Sequence, residues 1–189
     1  MKIKTIVVGY LRENCYVVSD DNDIAVVIDP GDEFDKINEY ITDNGLFVRT
    51  ILITHGHFDH IGAVVPLMHT SGARLYIGEG DADRLTVDAD FFAREGDRIE
   101  VGDMEFYVTE TPGHSPGGVC YRLGDTLFTG DTLFHDDIGR TDLPRCDHDA
   151  MLSSLRKLRD LPFDDLRILP GHEEESTLAH ERQCNEYLK

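Results

Sequence analysis

The chain has no tryptophan, only four cysteines, and 18 basic residues against 37 acidic ones. The cysteines are Cys15, Cys120, Cys146 and Cys184, widely spaced and with no CxxC pair, which argues against a disulfide framework. They read as reduced thiols, so a cytoplasmic protein is expected. The shortage of basic charge leaves a formal net charge of −19, which repels phosphate backbones and makes nucleic acid a poor partner. No apolar run approaches the ~20 residues needed to span a bilayer, so no membrane partner is expected. The apolar stretch at the N-terminus is soon broken by Arg12 and Glu13 and is too short for a signal peptide.

What is present suits one globular domain over residues 1–189, with a hydrophobic content of 40%. A chain of this length should bury roughly 70% of the surface its unfolded form exposes. Short β-rich runs dominate. Residues 3–8, 16–19, 24–28, 48–54 and 74–77 read as strands in the first half, and 104–109, 119–123, 126–129 and 167–169 in the second. Gly124-Asp125 is a hairpin signal. Apolar spacing predicts helices over 34–44, 61–69, 81–85, 149–158 and 177–188. Strand runs with helices between them suggest sheets packed face to face and covered by helices. Tyr16, Tyr121 and Phe92 read as core residues.

Chemistry concentrates at predicted strand ends. His55, His57, Asp59 and His60 occupy four of six positions directly after the strand over 48–54, with Gly56 giving the backbone freedom to turn. Imidazole and carboxylate together suit zinc, iron or manganese, whereas a structural zinc site more often uses cysteine, and none is near. His114 lies in Pro112-Gly113-His114-Ser115-Pro116-Gly117-Gly118, Asp131 in Gly130-Asp131-Thr132-Leu133-Phe134, and His172 in Pro170-Gly171-His172. Each of these three is a Gly-bearing loop after a strand. Five histidines and two aspartates are too many for one zinc, which usually takes four ligands, and suit two metals sharing one carboxylate.

The run Thr54-His55-Gly56-His57-Phe58-Asp59-His60-Ile61-Gly62, with the later His114, Asp131 and His172, resembles the metallo-β-lactamase superfamily over essentially the whole chain. Gly130-Asp131-Thr132-Leu133-Phe134, Ile138-Gly139-Arg140-Thr141-Asp142-Leu143-Pro144 and Ser176-Thr177-Leu178 are most similar to the short, single-domain glyoxalase II-like hydrolases. The resemblance implies an α/β (α+β) fold, a four-layer αββα sandwich with the metals at one edge of the sheets. It implies two divalent ions, zinc first and iron or manganese next. One ion would lie on His55, His57 and His114 and the other on Asp59, His60 and His172, with Asp131 bridging. Asp59 and Asp131 would also be the catalytic carboxylates.

The implied reaction is hydrolysis of a small-molecule hydroxyacyl thioester, such as S-lactoylglutathione, by a metal-bridging hydroxide. A lactonase or other ester hydrolase is a variant of that reading. An iron-dependent persulfide dioxygenase, using one iron on His55, His114 and Asp131, is its rival, and a non-catalytic metal-binding protein is the third class. True β-lactamases of this resemblance carry Arg where His60 stands and place a Cys among the ligands. Flavodiiron-type members carry Glu where His57 stands, and RNA-processing members carry a large insertion. The helical C-terminal domain by which longer glyoxalase II enzymes hold glutathione is not expected, since 17 residues follow His172, and Glu173-Glu174-Glu175 is acidic beside an anionic substrate.

Around these ligands, Asp29 is open between a support for the metal loop and a turn residue before Pro30. Arg140 is a candidate substrate contact, with a structural pair to Asp142 the favoured alternative. Thr177 reads as a helix cap, Cys146 as a plain loop residue, and His69, His135, His148 and His180 as surface residues. A monomer or small homo-oligomer is expected.

Overall fold

The computed structural model describes residues 1–189. Two mixed six-stranded sheets face each other. The first holds β1 (Lys2–Val8), β2 (Glu13–Ser19), β3 (Ile24–Ile28), β4 (Phe47–Leu52), β5 (Arg74–Ile77) and β6 (Phe91–Phe92), in that spatial order. The second runs β12 (Ser176–Thr177), β11 (Arg167–Pro170), β10 (Thr126–Gly130), β9 (Val119–Leu123), β8 (Met104–Glu110) and β7 (Arg98–Val101). Helices α1 (Phe34–Asp43) and α3 (Val64–Ser71) cover the first sheet, and α4 (His148–Arg159) and α5 (Leu178–Cys184) cover the second. The short α2 (Phe58–Ile61) carries part of the His-rich run. This is the expected four-layer αββα sandwich.

Period-two alternation builds the layers. Cys15 and Val17 of β2 point to the helices, whereas Tyr16 and Val18 point to the opposite sheet. Ile51 and Ile53 join the helix side, and Leu52 the inter-sheet core with Phe106, Tyr121 and Phe128. Because both faces are covered, β2 is buried along its full length, and its sequence reads as a run rather than as an alternation. Cys15 and Cys120 are core residues, and all four cysteines are unpaired.

Several sequence expectations are corrected. The helix expected over 61–69 is two pieces, α2 and α3. Pro66 has no N–H to bond to the preceding turn, and the Ala63 N–H turns to Pro30 O at 2.9 Å. The segment 81–85 is a 3-10 turn, Glu79–Arg84. The closing helix ends at Cys184, because Asn185 leaves helical geometry at ψ 121° and a 3-10 turn, Glu186–Leu188, follows. Phe92 is not core: it is 40% exposed on the edge strand β6, a strand too short to show a period. Tyr16 and Tyr121 are buried as expected, and the Thr177 hydroxyl accepts the His180 N–H as the cap of α5. No helix is long and apolar enough to cross a membrane.

Candidate metal centre

The strand ends carrying the motifs meet at one edge of the sandwich. The Val119 N–H donates to Thr54 O at 2.9 Å, which brings the start of β9 to the segment after β4. Gly171 N donates to Gly130 O at 2.9 Å, and Asn14 N to Gly171 O at 2.7 Å, so the loops after β10 and β11 and the start of β2 close on the same spot. All seven candidate ligands converge there.

His55 Nε2 and His114 Nε2 lie 3.0 and 2.9 Å from His57 Nδ1. Asp59 Oδ2 is 3.3 Å from His172 Nε2, and Asp131 lies between the two groups. Its Oδ2 is 3.4 Å from His114 Nε2 and 3.7 Å from His172 Nε2, and its Oδ1 is 3.4 Å from His60 Nε2. Arg140, the eighth site residue expected from sequence, pairs instead with Asp142 through two hydrogen bonds of 2.8 and 2.9 Å, although it also lines the adjoining cavity.

The partners of the outer nitrogens decide what the inner ones offer. The Thr54 hydroxyl donates to Asp29 Oδ2 at 2.6 Å, so its oxygen is left to accept from His55 Nδ1 at 3.2 Å. His60 Nδ1 donates to Asp29 at 3.0 Å, His114 Nδ1 to the Arg140 carbonyl at 2.8 Å, and His172 Nδ1 to the Leu11 carbonyl at 3.2 Å. A neutral imidazole that donates from Nδ1 presents a lone pair at Nε2. Four Nε2 atoms therefore face one another and the carboxylates, and each offers a lone pair once its ring is neutral. His60 Nε2 and Asp131 Oδ1 are buried with no hydrogen-bond partner at all. Buried acceptors facing acceptors are costly unless a cation lies between them. The donor set thus fits divalent metal ions, with carboxylate- and carbonyl-anchored histidines of the kind such ions require.

Charge runs the same way. Burial alone would raise the pKa of Asp131, but His60, His55 and His172 around it outweigh burial and hold the carboxyl far below the usual carboxylate range. Asp59 is likewise lowered against its own burial, chiefly by His172. Burial pushes His55 well down, and burial with His114 brings His57 to about 4. For His60 and His172 burial lowers the pKa, and flanking carboxylates reverse the sign, so both end raised.

Some residues at the centre were missed in the sequence, and the role of Asp29 was left open there. Asp29 is a support after all: its Oδ1 accepts the Thr54 N–H at 2.7 Å while Oδ2 holds Thr54 and His60. Asp81 is fully buried and accepts the Gly56 N–H at 2.9 Å. Gly56 has an ordinary backbone; a side chain there would meet Asp81 and Arg84 at 3.0 and 2.9 Å, so what it supplies is space rather than a turn. Glu13 is buried 3.9 Å from His60 Nδ1, and its carboxyl is pushed well up, first by burial. Its signal was a charge just before the apolar run read as a strand over 16–19, and it is the first, buried residue of β2. Asn14 clasps the last loop through Pro170 O at 3.1 Å and Glu173 O at 3.0 Å. Cys146, a loop residue as expected, reaches His114 O at 3.0 Å. His69 and His148 are exposed, and His135 and His180 also lie at the surface, half-exposed, with their rings adjacent.

Beside the donors opens a cavity of about 590 Å3, walled by Leu11, Arg12, Phe134, Ile138 and Arg140. Arg12 is exposed and no acidic group pairs with it.

The family model of the metallo-beta-lactamase superfamily matches residues 8–172. The chain belongs to this superfamily. It is 33% identical to the hydroxyacylglutathione hydrolase GloC of Haemophilus influenzae over 100% of this chain and 98% of that one. Among solved structures, BLEG-1 B3 metallo-beta-lactamase is 34% identical with a TM-score of 0.90, covering 99% of each chain. ETHE1 from Myxococcus xanthus is 30% identical with a TM-score of 0.89, over 98% of this chain and 84% of that one. TTHA1623 in a di-iron-bound form is 35% identical with a TM-score of 0.85, over 98% and 100%. As a superfamily member the chain is a metal-binding enzyme of a fold that holds two metal ions.

Proposed function

We propose that the protein hydrolyses a hydroxyacyl thioester, with S-lactoylglutathione as the model substrate. The observation that carries this reading is the convergence of seven donors at one sheet edge, three of which, His114, Asp131 and His172, line the adjoining cavity. His55, His57 and His114 would hold one divalent ion and Asp59, His60 and His172 the other, with Asp131 shared between them. When bound, such a pair lowers the pKa of water and polarises a carbonyl oxygen.

The chain's own groups set the rest. Asp59 and Asp131 orient the attacking water. Arg12, unpaired at the cavity wall, is suited to a substrate carboxylate, whereas Arg140 is already engaged with Asp142. No Tyr, Lys or Cys lines the cavity to protonate a leaving group, and the Glu173 and Glu174 carboxyls that do line it are exposed. A thiol with a pKa near ~8.5 leaves as thiolate without such help, which favours a thioester over an amide. The similarity to GloC supports the same class.

A second reading has one observation in its favour. His114 and Asp131 approach to 3.4 Å and His55 and Asp131 to 3.9 Å, which makes a two-histidine, one-carboxylate set of the kind that holds non-haem iron. An iron-dependent persulfide dioxygenase would use it, and the likeness to ETHE1 fits.

The first test is S-lactoylglutathione hydrolysis followed at the thioester absorbance, with metal analysis on the same sample. Chelator-sensitive turnover that is lost, together with metal, in His55→Ala and Asp131→Ala is the expected result. No hydrolysis by metal-loaded protein, with oxygen consumed on a persulfide, would replace the first reading by the second.

A further inference from the structure

A second knot of ligating side chains lies between the segment after Asp131 and helix α5. His135, Asp136, His180 and Glu181 bring ligand atoms within 4.8 Å of one another. His180 Nε2 is 2.9 Å from Asp136 Oδ1, and His135 Nε2 is 3.7 Å from the other oxygen of the same carboxylate. The two rings are 4.9 Å apart at their centroids, and one carboxylate stands between two imidazoles.

Two features set this apart from a pair of surface ion pairs. The outer nitrogen of His135 is engaged, Nδ1 meeting Glu174 Oε1 at 2.8 Å, which aims Nε2 inward. A carboxylate behind a histidine is how metal-ligating imidazoles are oriented. The second feature is the backing. Glu181 is fully buried, and its Oε2 accepts the Asp136 N–H at 3.0 Å and the Asn185 amide at 2.8 Å, while Oε1 accepts from the Ser176 hydroxyl. Asp136, Glu174 and Glu181 thus gather around two imidazoles, and no lysine or arginine pairs with any of them.

We propose that His135, Asp136 and His180, with Glu181 as fourth donor, form an accessory divalent-cation site separate from the seven-donor centre. Two imidazoles and two carboxylates best match zinc. Zinc bonds of about 2.0–2.1 Å hold tetrahedral donors roughly 3.3 Å apart, so on binding the His180–Asp136 pair opens slightly from 2.9 Å and the His135–Asp136 pair closes from 3.7 Å. The ion would tie helix α5 to the loop that bears Phe134, whose ring is 6.4 Å from that of His172 and walls the cavity. It would stiffen that wall without touching the reacting atoms.

The test is equilibrium dialysis of chelator-stripped full-length protein against Zn2+, comparing wild type with His180→Gln and His135→Asn. Each variant should bind one zinc fewer per chain than wild type at the same free zinc. Each should also lose the rise in Tm that the last equivalent gives the wild type. The count is a difference, so it stays readable whichever reading of the seven-donor centre holds. Circular dichroism checks folding, and the two variants lie in different chain segments, so either one supplies the count. Equal zinc in wild type and both variants would overturn the site and leave His135 and His180 as carboxylate-paired histidines only.

Discussion

Each of His55, His60, His114 and His172 has one ring nitrogen committed to an oxygen of the scaffold, and this makes the other a ready donor. Protonation separates the two halves of the centre. A metal needs the lone pair, so a lowered histidine pKa removes proton competition and a raised one adds it. His57 sits at about 4 and burial holds His55 well below its ordinary value, so both are neutral at neutral and mildly acidic pH. His60 and His172 are raised and must give up a proton on loading. Cobalt titrations at about pH 8 and about pH 6 should therefore show the half-site of His55 and His57 nearly unchanged and that of His60 and His172 weakened at the lower pH. Parallel weakening of both would contradict the assignment. Asp29 tests the support: Asp29→Ala frees Thr54 and His60, and metal affinity should fall by roughly 10- to 100-fold while the fold is retained. A competition titration against a chromophoric chelator reads this directly.

At the scale of elements, α4 braces the loop of His114. The Asp147 N–H donates to Gly113 O at 2.8 Å and the Ser154 hydroxyl to Pro112 O at 2.7 Å. Asp147 also caps the helix, accepting the Ala150 N–H at 3.0 Å. Asp147→Ala should cost about 1 kcal/mol of stability, measured as a shift in the urea midpoint at unchanged slope. The legibility of elements followed their length and exposure. Longer patterns such as those of α1, 10 residues, and α4, 12 residues, were visible because one face is apolar and the other wet. Strands β6 and β12, two residues each, have no period to read. Strand β7 did carry a signal, since Arg98 and Glu100 are exposed while Ile99 and Val101 are buried, with a Gly102-Asp103 turn after them. It is the one missed element that alternation predicts.

At the scale of the molecule, the two sheets are latched at the edge where Asp20 and Asp103 meet. Asp20, near the end of β2, accepts the Asp103 N–H at 3.0 Å from the turn between β7 and β8, and also those of Asn22 and Ile24 at 2.8 and 3.0 Å. Gly102 beside it has φ +57°, and a side chain there would strike Asp20 Oδ2, so the latch needs glycine twice over. The Asp103 N–H first, then those of Asn22 and Ile24, hold the Asp20 carboxyl below its ordinary value. A carboxyl lowered in the folded state adds stability above its unfolded pKa of about 3.9 and loses it as pH falls through the folded value. Asp20→Asn should therefore be less stable than wild type near neutral pH, and the gap should close in strong acid. Urea unfolding at several pH values checks this, and a gap constant with pH would contradict it.

The sequence by itself determined the layer pattern and the donor set. Alternation and helical spacing are local properties, and His55, His57, Asp59 and His60 stand together in the chain whatever the fold. His114, Asp131 and His172 were legible as candidates because each follows an apolar run and sits beside glycine. Only the tertiary structure decided which nitrogen of each histidine faces inward, because Asp29, Leu11 O and Arg140 O come from distant segments. It also decided that Arg140 is tied to Asp142 while Arg12 is free, and that His135 meets His180, 45 residues further along. Tautomer, free charge and cross-chain proximity depend on neighbours that folding supplies, and no local pattern encodes them.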